Sequence, residues 1–414
     1  MYSIPMYEND KYDAFDLTLL NEEEKLFREK CREFALDYIR PMADKYDRSE
    51  SIDIDFFKGA INSGFYSPDF FLEVGLDQSG RKISIVAEEF AYGDGGLGLA
   101  LLYPFLPLAA LAISGTLEQQ ARFIPELFGS LEKPNLVAFA ASEPDAGSDV
   151  NSISTTAVRD GDYFILNGVK RWAGNSSLAD WYFVVASVEK DLGAKGQALF
   201  AVKGDSIGIS FGSKMSKLGL RAMTHCDIYL SNVSVPLENL IGGVERLEKR
   251  IAKAKSGEHK IGQAAIETFE ATRPFVAAMA VGVARAAHEE ALKYSLSRVT
   301  FNKKIVEHQL VADKISRQRV MIDAARLLVY RAAKLQSQRL GFNSAEGSQA
   351  KLFAGEMVRE VTLSALQVAG GLGFTKNLII ERCYRDAPIY GIFEGSNEIQ
   401  SLIIASKLSG LKIR

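Results

Sequence analysis

The stretch CDIYLSNVSVP, Cys226–Pro236, sets apolar Ile228, Leu230 and Val233 against polar Asp227, Ser231 and Asn232. That alternation is the pattern of a half-buried β-strand. Working backwards, DYFILNGVKRWAGN (162–175), DWYFVVASV (180–188) and GQALFAV (196–202) are also short, β-branched and aromatic, with turn residues between them. Together they predict a compact β domain over residues 136–242.

Both flanks have the helical period. Residues 1–135 read as a helical domain, with Asn21 as an N-cap before a glutamate-rich first turn. Leu26, Phe27, Phe34 and Ala35 form an apolar stripe there, and Pro41 is expected to break or restart the helix. The run LGLALLYPFLPLAALAISG (97–115) approaches membrane-span length, but Pro104 and Pro107 point to a buried, broken helical region. Residues 243–262 include the charged insertion RLEKRIAKAKSGEHK (246–260), read as a solvated helix or loop. Over 263–414, Val311, Ile315, Ile322, Ala325, Val329 and Ala332 share one helical face. Phe353, Met357, Val361 and Val368 share another, which predicts a helical bundle. The fold class is therefore mostly α with a central β domain.

Composition narrows the function. The 414 residues carry a net charge of −3, which argues against nucleic-acid binding. Three separated cysteines (Cys31, Cys226, Cys383) and four histidines without an HExxH pair suggest neither a disulfide framework nor a metal site. A reducing, cytoplasmic setting is the expectation. The polar, acidic start, MYSIPMYENDKYDAFD (1–16), resembles neither a secretory signal nor a transit peptide.

Five further stretches invite chemistry. FAASEPDAGSD (139–149) is a strand entering a loop of small residues. It holds polar ligand atoms or is an Asx/Pro turn. Trp172 ends a strand, where it covers an aromatic ligand or belongs to the core. Arg298 and Phe301 in RVTFNKKIVEHQ (298–309) suit a phosphate beside a ring, or an exposed arginine over a core phenylalanine. QVAGGLGF (367–374) is a glycine run after a helix. IYGIFEGSNEIQ (389–400) puts one acid, Glu394, among apolar neighbours, where a carboxylate needs a partner or a task.

Individually these signals are modest. In order, with KLGLRAMTHCDIYLSNVSVPLENLIG (217–242), FEATRPFVAA (269–278) and YRDAPIYGIFEGSNEIQ (384–400), they resemble the acyl-CoA dehydrogenase family. The resemblance covers nearly the whole chain, excluding its start and residues 246–260. It implies an N-terminal helical domain, a middle β-barrel-like domain and a C-terminal four-helix bundle. It also implies an FAD enzyme that converts an acyl-CoA thioester to a trans-2-enoyl-CoA, the chemistry of fatty-acid β-oxidation. Glu394 matches the base that removes the α-proton while a hydride leaves Cβ for flavin N5. The backbone N–H of that glutamate and a flavin ribityl hydroxyl would hold the enolate-like oxygen, and Gly395 adjoins this substrate site.

The flavin positions implied by the resemblance are Phe139, Ala141, Ser142, Trp172, Gly174, Arg298, Phe301, Gln309, Gln367, Gly370, Gly371, Ser396 and Glu398. Those for CoA are Ser148, Glu270 and Arg273. Some flavin contacts would cross to a second subunit, implying a homotetramer or a dimer. An electron-transferring flavoprotein is the implied electron acceptor. Two departures stand out. Gly174 replaces a usual Ser or Thr, leaving only its backbone N–H for flavin N5. His225 and Cys226 lie where some members place Thr and Arg, and read as a coincidental surface pair. Leu99, Leu101, Leu102, Tyr103 and Phe105 would line the acyl pocket without an arginine for a distal carboxylate, which favours a non-carboxylated chain. An acyl-CoA oxidase-like relative and a non-catalytic flavin or acyl-CoA binder remain the alternative readings.

Overall fold

The computed structural model describes residues 13–15, 17–257, 264–338 and 340–413. Nearly all of the acidic start and residues 258–260 of the charged insertion lie outside them. Helices α1 (Glu22–Phe34), α2 (Arg40–Ser49), α3 (Ile54–Asn62), α4 (Pro68–Leu76), α5 (Arg81–Gly93), α6 (Gly95–Leu102), α7 (Phe105–Ser114) and α8 (Leu117–Glu126) come first. Asn21 caps α1 as expected: it accepts the Glu24 N–H, and Glu24 reaches back to the Asn21 N–H. Phe27, Phe34 and Ala35 are buried, but Leu26 is 55 % exposed. The inward stripe runs through Cys31 instead, four residues from Phe27 and three from Phe34. The chain passes Pro41 through a wider helical turn over Ala35–Ile39 and restarts as α2 with proline in its first turn.

The apolar run divides into α6 and α7 at Tyr103–Pro104. Although Gly95–Ser114 is long and apolar enough to cross a membrane, 78 % of it is buried inside the fold. Asp94 starts α6 by accepting the Gly96 and Leu97 N–H groups.

The central strands are β1 (Val137–Ala140), β2 (Thr156–Asp160), β3 (Tyr163–Lys170), β4 (Trp181–Ser187), β5 (Gln197–Lys203), β6 (Ile209–Phe211) and β7 (Ile228–Pro236). Their order is β1-β4-β2-β3-β7-β6, with β5 antiparallel along the other edge of β4. A bridge from Phe200 to Leu240 curls the sheet back on the chain leaving β7. On β7, Ile228, Leu230, Val233 and Val235 are buried, with the expected polar residues outward. Two successive outward positions, Ser231 and Asn232, change the phase, and Asn232 takes the left-handed backbone at φ 52°. β4 is buried at every position, because Trp181, Phe183 and Val185 face the helices while Tyr182, Val184 and Ala186 face the sheet's own core.

The charged segment forms α9 (Gly243–Lys255), and its Leu247 packs into the sheet core. Then come α10 (Ala264–Ser297), a hairpin of β8 (Val299–Thr300) and β9 (Lys303–Lys304), α11 (Gln309–Ser337), α12 (Glu346–Ala369), α13 (Ile380–Asp386) and α14 (Asn397–Ser409). α10 packs on both α12 and α5, which joins the two helical layers. A buried ionic cluster ties that junction: Arg285 pairs with Glu88 at 2.8 Å and Glu89 at 2.5 Å, and Arg326 pairs with Glu88 at 2.8 Å. Such charges are tolerated in the core only because each is paired and hydrogen-bonded.

Candidate active site

Glu394 follows a 3-10 turn over Ala387–Gly391 and precedes α14. Its φ is +55° and that of Gly395 is +88°. A non-glycine residue held in this region is a strained position that its surroundings must enforce. The enforcing contacts are visible. Gln400 Nε2 donates to the Glu394 carbonyl at 3.1 Å and the Gly395 carbonyl at 2.9 Å. Lys351 Nζ, from α12, donates to the same Gly395 carbonyl at 2.7 Å. Ser396 caps α14 by accepting the Ile399 N–H. Gly355 lets α12 approach this turn, because a Cβ there would lie 2.6 Å from the Tyr390 carbonyl oxygen.

The carboxyl itself accepts a 2.9 Å hydrogen bond from Thr272 Oγ1 on α10. Although the residue is only half-buried by surface area, the protein around its carboxyl is dense. Desolvation therefore dominates and raises the pKa to about 7. The Thr272 hydroxyl and the charges of Arg273 and Lys351 oppose the rise. Burial also lowers the Lys351 ammonium to about 8. The result is a carboxylate poised to exchange a proton near neutrality.

The flanking residues divide into groups. Phe139, on β1, meets Phe269 of α10 edge-on at 5.8 Å. Ala141 is buried, Ser142 is half-buried, and the Ser142 carbonyl accepts the Arg171 N–H at 2.9 Å. Trp172 is 57 % exposed, which excludes the core reading. Arg171 lies over its ring and is itself fixed by two bonds to Asp227, at 2.5 and 2.6 Å. The Gly174 N–H, expected to be available, donates to the Tyr103 hydroxyl at 2.9 Å. Arg273 is buried and donates to Ser348 Oγ at 3.2 Å, with Glu270 exposed 3.8 Å away. Its charge acts on the Glu394 carboxyl, whereas Ser148 is exposed on the loop after β1.

Arg298, Phe301 and Gln309 lie together around the β8–β9 hairpin and the start of α11. Phe301 is 91 % exposed at the hairpin tip, so it is not a core residue under an arginine. Gln367, Gly370 and Gly371 are exposed at the end of α12, and Glu398 is exposed in the first turn of α14. No hydrogen bond among the described residues joins the hairpin or the glycine turn to Glu394. His225 and Cys226 are not a surface pair. Cys226 is buried and its N–H donates to Ser176 Oγ at 2.7 Å, while burial lowers the half-buried His225 to about 4.

Several contributors were missed from sequence. Thr272 lies within 269–278 but was passed over beside Arg273. Lys351 had a signal: it sits three residues before buried Ala354 on the inward stripe of α12. Glu143, in the 139–149 loop, accepts from Lys170 at 2.8 Å, from the Ser154 N–H and hydroxyl, and from the Thr155 N–H. Burial would raise this carboxyl, but the Lys170 charge and the hydrogen bonds bring it to about 2. This anchored carboxylate fixes the loop that carries Ala141 and Ser142.

Comparison with known proteins decides the family. The chain matches the N-terminal domain of acyl-CoA dehydrogenase over residues 21–129, the middle domain over 138–233 and the C-terminal domain over 262–409. The chain belongs to the acyl-CoA dehydrogenase family. It is 34 % identical to a cyclohexane-1-carbonyl-CoA dehydrogenase of Geobacter metallireducens, covering 94 % of this chain and 98 % of the relative. It is 32 % identical to the caffeyl-CoA reductase-Etf complex subunit CarC of Acetobacterium woodii, with the same coverage. Its fold matches the butyryl-CoA dehydrogenase of Megasphaera elsdenii with a TM-score of 0.83 and 28 % identity, covering 95 % and 99 % of the two chains.

Acyl-CoA dehydrogenases are FAD-binding oxidoreductases that act on CH–CH bonds. The residues present fit that cofactor. A flat, apolar ring needs exposed aromatic faces, and Trp172 and Phe301 supply them. A Cβ at Gly370 or Gly371 would meet nothing within 4 Å, leaving open backbone for close approach.

Proposed function

We propose that this protein catalyses FAD-dependent α,β-dehydrogenation of an acyl-CoA thioester, with Glu394 as the α-proton base. The observation that carries this reading is a carboxylate raised to about 7, held in a left-handed turn by Gln400 and Lys351. FAD, when bound, supplies the hydride acceptor. Thr272 orients the carboxyl towards its task, and Arg273 and Lys351 keep the ionised form accessible. The Glu394 N–H, in the same turn, would hold the thioester oxygen. Phe139, Ala141, Ser142, Trp172, Gly174, Ser396 and Glu398 would border the cofactor within one subunit. Arg298, Phe301, Gln309, Gln367, Gly370 and Gly371 would meet it across a homotetramer or dimer interface, which accounts for their exposure. Ser148 and Glu270 would contact CoA.

The wall from Leu97 to Leu111 is buried and apolar apart from the Tyr103 hydroxyl, which supports a non-carboxylated acyl group. Cyclic and short-chain acyl groups are drawn in by the relatives' names. One relative is named a reductase in an Etf complex, and this favours a second reading: the same Glu394 returning a proton to Cα while an enoyl-CoA is reduced. An electron-transferring flavoprotein is the proposed electron partner in either direction.

The test is an anaerobic titration of the purified flavoprotein with a panel of acyl-CoAs, followed at the visible flavin band. Bleaching by one chain class, abolished in Glu394→Gln, is the expected result. Turnover that survives this substitution refutes the assignment. Peroxide formed in air would transfer the reading to an oxidase.

A further inference from the structure

Gly174 is not in the left-handed region, so its backbone does not demand glycine. Space does. A Cβ there would lie 2.6 Å from Tyr103 Cε2 and 2.5 Å from Met223 Sδ. Both neighbours are closely packed. Tyr103 is 7 % exposed at the break between α6 and α7, and Met223 is fully buried. The Met223 carbonyl is held by Lys217 Nζ at 2.6 Å.

The phenol has an unusual hydrogen-bond balance. Its oxygen accepts the Gly174 N–H at 2.9 Å, yet no acceptor for the Tyr103 O–H occurs among the described hydrogen bonds. A buried donor without an acceptor is destabilising, so the O–H calls for an acceptor from a ligand. Two features therefore meet at one point: a glycine without a side chain, and a tyrosine whose ring takes the space a Cβ there would need.

We infer that Tyr103 supplies, from the α6–α7 junction, the hydroxyl that position 174 lacks, and presents its O–H to the polar edge of the flavin ring. This rests on the FAD reading proposed above. Tyr103 is then a cofactor-positioning residue, and 103 and 174 form a reciprocal pair in which only one residue can carry the polar group.

The test uses the FAD-loaded protein and the variants Tyr103→Phe, Gly174→Ser, Tyr103→Ala and Tyr103→Ala/Gly174→Ser. Readouts are FAD content per chain, the oxidised flavin spectrum and the two-electron reduction equilibrium against a dye. Tyr103→Phe preserves the ring packing. It is expected to retain FAD, alter the spectrum and change the reduction equilibrium about tenfold, or about 30 mV. Gly174→Ser alone is expected to lose FAD at least about fivefold, and the double variant to regain it, a non-additivity that independent sites would not give. A Tyr103→Phe protein with the parent's spectrum and equilibrium overturns the inference. So does a Gly174→Ser defect that is the same with and without Tyr103. A parent chain that takes up no FAD would refute the FAD reading itself, and this inference with it.

Discussion

Replacing Glu394 by glutamine should abolish turnover and, at the same time, stabilise the protein in a pH-dependent way. An ordinary glutamate titrates at 4.5, whereas burial raises Glu394 to about 7. Below pH 4.5 the folded and unfolded chains both hold the proton, and the site contributes nothing. Between 4.5 and 7 the unfolded chain has released it while the folded one still holds it, so an increasing penalty falls on the folded state. Above about 7 the penalty is complete. At about 1.4 kcal/mol per pH unit, a rise from 4.5 to about 7 corresponds to roughly 3 kcal/mol. The partial solvent access of the residue reduces this to about 2–3 kcal/mol. Glutamine never ionises, and its amide oxygen can still accept from Thr272. The variant's advantage over the parent should therefore grow from near zero at pH 4.5 to about 2–3 kcal/mol at pH 8. Paired urea titrations at the two pH values measure it, provided the slopes match. The parent's kcat/KM should rise with pH through about 7, reporting the same carboxyl. A stability difference that is constant with pH would mean Glu394 ionises as an ordinary surface acid, and the argument for a desolvated base would fail.

Thr272→Val removes a donor that favours the ionised carboxyl, so the kcat/KM inflection should move to higher pH. Activity at pH 7 should fall on the order of three- to tenfold, and an unmoved inflection would contradict the assigned hydrogen bond. Lys351→Met removes a nearby cation and the tether on the Gly395 carbonyl. It should shift the inflection the same way and speed amide exchange around residues 393–396; normal exchange would show that Gln400 suffices. Gly355→Ala puts a methyl 2.6 Å from the Tyr390 oxygen and should cost about 1–3 kcal/mol in a urea titration, with lower turnover. Phe301→Ser, on an exposed hairpin tip whose ring meets His308 edge-on, should lower FAD retention and the assembly size seen by light scattering while leaving the urea midpoint within about 0.5 kcal/mol. Unchanged FAD content and size would remove the hairpin from the proposed interface.

The helix–sheet–helix order was legible because its signals are local. Alternation on β7, the Asn21 capping box and the proline break after Leu102 each depend on a few adjacent residues. Periodicity failed where a helix has a narrow inward stripe: Leu26 is as apolar as Phe27, and only the choice of facing surface separates them. The charged stretch 246–260 misled in the opposite way, because its many lysines concealed that Leu247 reaches the sheet core. The ionic cluster at Glu88, Glu89, Arg285 and Arg326 was also invisible. Its partners lie 197 and 238 residues apart on separate helices, and charge in a helical pattern ordinarily means solvent.

The site shows the same division more sharply. Glu394 could be singled out because an acid between Phe393 and a Gly-Ser turn needs a reason. What tempers its raised pKa and what holds its backbone come from Thr272 and Lys351 on two distant helices, and no spacing rule links those positions. Position 174 makes the point from the opposite side. The family resemblance implies a hydroxyl that Gly174 lacks. Structure shows that the room is already taken by Tyr103 and Met223 and that the glycine's N–H is engaged. What reads as a mere absence in the sequence is, in the packing, a place where a Cβ has no room. Threonine placed there without enlarging the site would therefore crowd both Tyr103 and Met223.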